Sequence, residues 1–431
     1  MRALIAAALL AAASPLSAQT IAITNGTLVL GDGSEPIQGG TVIVVNGRIT
    51  AVGPTVQVPT NAQIFDANGK WVTPGIVAGF SRLGLSEVDL GADGSDDTDS
   101  GSGPFNAAID VTPAINPKAS TVAVSRADGV TRAVVVPVAG KNIFAGQGAV
   151  IDTGVDMDAV LRARAFQFVE LGEGGAGIAG GSRASAFALF RNALREARDL
   201  RGRVDGTRRD DVLLTRFDVA ALVPVVQGKQ LLLVHVERAK DILNVLELRR
   251  EFPGLKLALA GVSEGWTVAD QIAASGVWVI ASALNDLPAS FEMLAATQSS
   301  IGRMRASGVK VAIGMIDDND TRYQRNQRQY AGNLVALGKL PGAAGVSWSE
   351  AFAMISSRPA EAVGLGGEIG SLAPGRRGDV VIWSGDPLEL SSAAEAVWID
   401  GVRQPLDNHQ TKLRDRYRSL EREALPEAYR K

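Results

Sequence analysis

Three side chains carry most of the chemistry this sequence could perform: His235, Asp317 and Arg82. An imidazole titrates near neutral pH, so His235, in LLLVHVERAK, can serve as a general base or a metal ligand. Asp317, in VAIGMIDDND, offers a carboxylate for the same two tasks. Arg82, in VTPGIVAGFSRLGL, carries a guanidinium fork that binds a carboxylate bidentately and can help polarise a carbonyl. Alternatives to the histidine are few, because the chain has no cysteine and only one other histidine, His409. Thiolate metal sites, cysteine nucleophiles and disulfides are therefore excluded. His409 precedes a charged tail and reads as a surface residue. Asp317, Asp318 and Asp320 together present hard oxygen ligands for calcium or magnesium, but without EF-hand spacing they read first as a solvated loop.

The elements that would position these groups follow from patterning. From Ile21 to Trp71, short β-branched runs alternate with the dipeptides Asn25-Gly26, Asn46-Gly47 and Asn68-Gly69, which suit turns of positive φ. A second fragment in the same style, with the strand DVVIW and the turn Asp400-Gly401, lies near the far end, so the two predict one discontinuous β domain. Between them TRAVVVPV, GAVIDT, QLLLVHV, LKLALAG, VWVIASAL and VKVAIGM each read as a buried parallel strand. Helical patterns fill the gaps; Ala239, Ile242, Leu243 and Leu246 predict one apolar stripe. The reading is an α/β chain: a (β/α)8 TIM-like barrel over 74–365, with a β-sandwich formed by 19–73 and 366–405 and a helical tail over 406–431. In that tail Leu413, Tyr417, Leu420 and Ala424 predict a stripe packed on the body. The acidic segment from Glu87 to Asp110 reads as a surface loop or a lid over the barrel mouth, and Gly172–Ser182 as a flexible connector.

The chain is 431 residues long with a formal net charge of -3, too small to point to a nucleic acid or an acidic substrate. Its start, MRALIAAALLAAASPLSAQT, has one early cation, a short apolar run and a small-residue end. That pattern predicts a signal peptide over 1–18, an exported and periplasmic mature chain, and no membrane association after cleavage. The expected partner is a small-molecule or peptide ligand, and a homo-oligomer is open.

Seven stretches carry a family resemblance: NGRITAVG, DANGKWVTPGIV, ADGVTRAVVVP, FAGQGAV, VKVAIG, SSRPAEAVGLGGEIGSLAPGRRGDVVIWSGDPLE and VWIDG. In this order and spacing the chain resembles the amidohydrolase superfamily, and within it the exported relatives of imidazolonepropionase and the prolidase-type dipeptidases. The resemblance implies a barrel whose mouth holds one or two divalent ions, zinc or another, that activate water for hydrolysis of amide or ring C–N bonds. Pro74, Gly75, Ile76 and Val77 match the family's first-strand signature, but Ala78 stands where an Asp is expected, and Phe80 and Arg82 where two His are expected. His235 matches the fifth-strand ligand. At the sixth strand Ala260 and Gly261 occupy the ligand region, with Glu264 the nearest ionisable group, and Asp317 lies one residue past the eighth-strand position near Ile316.

Two readings stay open on these residues. In one, the chain is a degenerate amidohydrolase with absent or metal-independent activity, His235 acting as base and Arg82 replacing the metal's charge. In the other, it is a non-catalytic exported protein that uses the barrel mouth to bind a ligand or partner.

Overall fold

The computed structural model describes residues 20–87, 96–99, 103–200, 213–283, 285–316 and 324–418. The expected signal peptide, residues 88–95 and 100–102 of the acidic segment, the Asp317, Asp318 and Asp320 cluster, and Leu420 and Ala424 of the tail lie outside the described residues.

Both chain ends form one sheet. It contains β1 (Thr20–Leu28), β2 (Ile37–Val45), β3 (Arg48–Gly53), β4 (Gln63–Asp66) and β5 (Trp71–Pro74) from the N-terminal side. Three strands from the other end, β14 (Val380–Trp383), β15 (Ala394–Ile399) and β16 (Val402–Gln404), complete it. Their order is β16-β15-β14-β5-β1-β2-β3, with β4 also paired to β1. The turn dipeptides behave as their chemistry demands at Asn46-Gly47 and Asp400-Gly401, which close the β2–β3 and β15–β16 hairpins with φ of 49° and 77°, and 50° and 74°. Asn25-Gly26 is a correction: it sits inside β1 at a register shift, a bulge in place of a turn.

The second sheet runs in chain order from β6 (Ile76–Ser81) through β7 (Val130–Val135), β8 (Phe144–Asp152), β9 (Val160–Glu170), β10 (Leu231–Val236), β11 (Lys256–Gly261) and β12 (Trp278–Ala281) to β13 (Lys310–Ile313). Its two edge strands meet, with the Met315 amide donating to the Phe80 carbonyl at 3.4 Å, so the sheet nearly closes into a barrel. Gly79 is required there: a Cβ would stand 2.3 Å from the Ile313 carbonyl oxygen on β13. The fold is thus α/β, with one departure from eight parallel strands. β8 is antiparallel to both β7 and β9, so GAVIDT is the second half of a hairpin-linked strand and not a parallel one.

Alternate positions on this sheet form two apolar clusters. Val77, Phe80, Val134, Phe168, Leu233, Ala258, Ile280 and Ala312 fill one, drawn from strands on every side and so lying inside the barrel. The other cluster joins the outer strand faces to the helices. After β10, helix Ala239–Glu251 buries Ile242, Val245 and Leu248, whereas Leu243 and Leu246 are only half-buried, which rotates the stripe from the predicted one. Gly172–Ile178, read as part of a connector, is helical. The tail forms a helix over His409–Arg418 with no buried residue, so its predicted packing stripe is not seen in the described part.

The candidate site at the barrel mouth

Residues at the C-terminal ends of parallel barrel strands face the mouth, the end where barrel enzymes place their chemistry. His235 is the fifth residue of β10 and shares a strand face with Leu233 and with Glu237, two residues on. In the parallel register its neighbour on β9 is Glu170. The consequence is a clamp: Nδ1 of His235 lies 2.8 Å from Glu170 Oε1, and Nε2 lies 2.9 Å from Glu237 Oε1. Both side chains are largely removed from solvent, with 13% of His235 and 3% of Glu237 exposed. Burial works against the charged imidazole, but the two carboxylates outweigh it and hold the His235 pKa well above its ordinary 6.5. Each ring nitrogen thus faces a carboxylate oxygen, the arrangement an imidazolium satisfies by donating from both.

The backbone after β11 supports this clamp. Gly261 and Val262 both take left-handed conformations, φ 86° and 64°, rare for a β-branched residue such as Val262 and of a kind that costs about 1–3 kcal/mol. That turn aims the Ser263 amide at Glu237 Oε2, 2.7 Å away, and the Val262 amide at the Val236 carbonyl, 2.8 Å away. Gly261 admits no side chain, since a Cβ would fall 2.2 Å from Glu237 Oε1. Glu264, considered above as the sixth-strand group, does not reach the clamp; its carboxylate accepts from the amides of Ala239 and Ala295.

Phe80 and Arg82 take up the first-strand side of the mouth. Phe80 is buried and meets Phe168 of β9 edge-to-face across the interior, ring centroids 5.8 Å apart. Arg82 is half-buried with its guanidinium carbon 5.8 Å from the Phe80 ring centroid. The hydrogen bonds of His235 go to Glu170 and Glu237, and Asp317 lies outside the described residues. Among the described residues, no group of three or more His, Asp or Glu side chains is arranged to hold a metal ion.

Residues 285–299 are tied to the segments that follow β9 and β11. They come after β12, but Glu292 accepts from the Glu173 amide at 2.7 Å and pairs with Arg183 at 3.1 Å, beyond the end of β9. Arg183 also pairs with Asp241 at 3.0 Å, and Trp266 donates to the Ala295 carbonyl at 2.7 Å. Among the described residues, the crevice beside Ser263, Asn285 and Thr297 measures only about 10 Å³, scarcely one water.

Glu170 and Glu237 were missed in the sequence, although the signal for one was present. His235-x-Glu237 has the same alternate spacing that puts two ligands on one strand face. A nuclear magnetic resonance titration should show the His235 ring as an imidazolium at pH 7.5, and a neutral ring there would refute the clamp.

Residues 272–403 match the sequence model of the amidohydrolase family. The amidohydrolase tasK of Hapsidospora irregularis is 25% identical over 85% of this chain, which spans 40% of that longer protein. An imidazolonepropionase of Acidiphilium cryptum is 26% identical over 82% of this chain and 89% of its own length. Among solved structures, an amidohydrolase from Thermotoga maritima superposes with a TM-score of 0.77 at 25% identity, covering 89% of this chain and 99% of that one. With the family stretches in order along a nearly closed barrel sheet, these likenesses agree: over most of its length the chain is similar to amidohydrolases, and residues 272–403 match that family's sequence model.

Proposed function

We propose that this chain is an exported amidohydrolase-fold protein that does not perform metal-dependent hydrolysis and serves as a binding protein. One observation carries the reading: both nitrogens of His235 are engaged by Glu170 and Glu237. A metal ligand must be a neutral imidazole with a lone pair free, and a general base needs the same. Here the two carboxylates also lie on opposite sides of one ring, so His235 and its partners do not converge on a single point. Catalytic zinc generally takes three protein ligands. Phe80, Arg82, Ala260 and Gly261 at the first- and sixth-strand ligand positions supply no imidazole or carboxylate. The donor set therefore does not fit the family's metal, and the charge of the imidazolium offsets the two carboxylates in its place.

The test is elemental analysis of the purified protein, with dipeptides and N-acyl amino acids assayed with and without added zinc or manganese. The expected result is far less than one ion per chain and no turnover of either substrate class, with or without added metal. Stoichiometric metal, with hydrolysis that a chelator abolishes, would overturn the proposal.

A further inference from the structure

A cavity of about 580 Å³ opens at the other end of the barrel. Trp278 and Lys310, which line it, are the first residues of β12 and β13, strands parallel to β10, whereas His235 lies near the end of β10. The remaining charged lining is Arg305 from helix Ser300–Ala306, and Arg358 and Glu361 from helix Ser357–Ala362. Three cations thus face one carboxylate. Arg305 is partly committed to Glu350 and Arg358 to Glu361. Lys310 is exposed, and among the described residues no carboxylate pairs with it; its ammonium lies 5.8 Å from the Trp278 ring centroid. A cation over an indole keeps its capacity to meet an anion, because the ring supplies no countercharge. The wall of the cavity is not filled either: a Cβ at Gly364 or Gly367 would meet no atom within 4 Å.

From this we infer a second binding site, for a small organic anion, a carboxylate or a phosphate ester. The volume lies within the ~300–1,000 Å³ usual for small-molecule sites and far exceeds the ~30 Å³ share of a water. The surplus of cations selects an anion, and the Trp278 and Val311 surfaces beside them accommodate a carbon skeleton that an inorganic ion lacks. The inference does not depend on whether the opposite mouth is catalytic.

Calorimetric titration of the full chain with phenyl phosphate, benzoate, inorganic phosphate and benzyl alcohol tests it. The expected result is saturable binding of phenyl phosphate or benzoate, weaker binding of inorganic phosphate and none of benzyl alcohol. The tighter of the two organic anions identifies the preferred head group. Lys310→Gln should weaken binding about tenfold or more, a loss of ~1.4 kcal/mol. Gly367→Leu, which fills open space at a position without positive φ, should abolish binding while keeping the wild-type unfolding midpoint. If that variant does not fold, the exposed Lys310 substitution decides alone. No binding of either organic anion, equal binding of benzyl alcohol or inorganic phosphate, or affinity unchanged by Lys310→Gln would overturn the site.

Discussion

Replacing Arg132 by Met is expected to destabilise the protein by roughly 3–5 kcal/mol, the cost typical of removing one partner from a buried charge cluster. Arg132 is 1% exposed on β7. Its Nε and Nη2 donate to the two Asp379 oxygens at 2.7 and 2.8 Å, and Nη2 also lies 2.9 Å from Asp400 Oδ1. Asp152 completes the cluster at 3.5 Å. Burial pushes the Asp152 pKa up to about 6, although Arg132 pulls against it. Because that folded value exceeds the unfolded one of about 3.9, the contribution of Asp152 to stability is full below pH 3.9 and lost as pH rises through about 6. Without Arg132 the carboxylate is harder still to ionise, so the deficit of the variant should shrink between pH 6 and pH 4. Denaturant unfolding at both pH values measures this. A loss under ~1 kcal/mol at pH 7 would mean the cluster contributes like an exposed pair.

His235→Ala should be the second large loss, again roughly 3–5 kcal/mol near neutral pH, because Glu170 and Glu237 are then left facing each other without a cation. The pH dependence separates this from a simple cavity. With the folded pKa of His235 raised, the stabilisation is complete below the unfolded value of about 6.5 and disappears as pH climbs through the folded value. The gap between wild type and variant should therefore narrow in alkaline solution. A gap that stays constant from pH 6 to pH 10 would indicate lost packing alone.

Several elements were legible in the sequence because they are buried on both faces. QLLLVHV, LKLALAG and VKVAIGM became β10, β11 and β13, since a parallel strand covered on both sides reads as an unbroken apolar run. β9 was not legible: VLRARAFQFVE alternates Arg162 and Arg164 with apolar residues, the half-exposed pattern of a hairpin partner. Missing β9 also concealed Glu170, its last residue, and with it half of the clamp. That Phe80 and Arg82 stand at the end of the first barrel strand could be read directly from the sequence. The partners of His235 could not, because they come from register and from the left-handed turn at Val262, and neither leaves a motif.

The pairing of β5 with β14 has a consequence for how the chain is made. Val380 sits opposite Pro74, so β5 acquires that neighbour only after roughly 300 intervening residues emerge, about 15–60 s at a synthesis rate of ~5–20 residues per second. Arg132 likewise waits for Asp379 and Asp400 to reach it. During that interval the newborn chain exposes an open strand edge and a stranded cation, and the brevity of β5, four residues, limits what a neighbouring chain could grip.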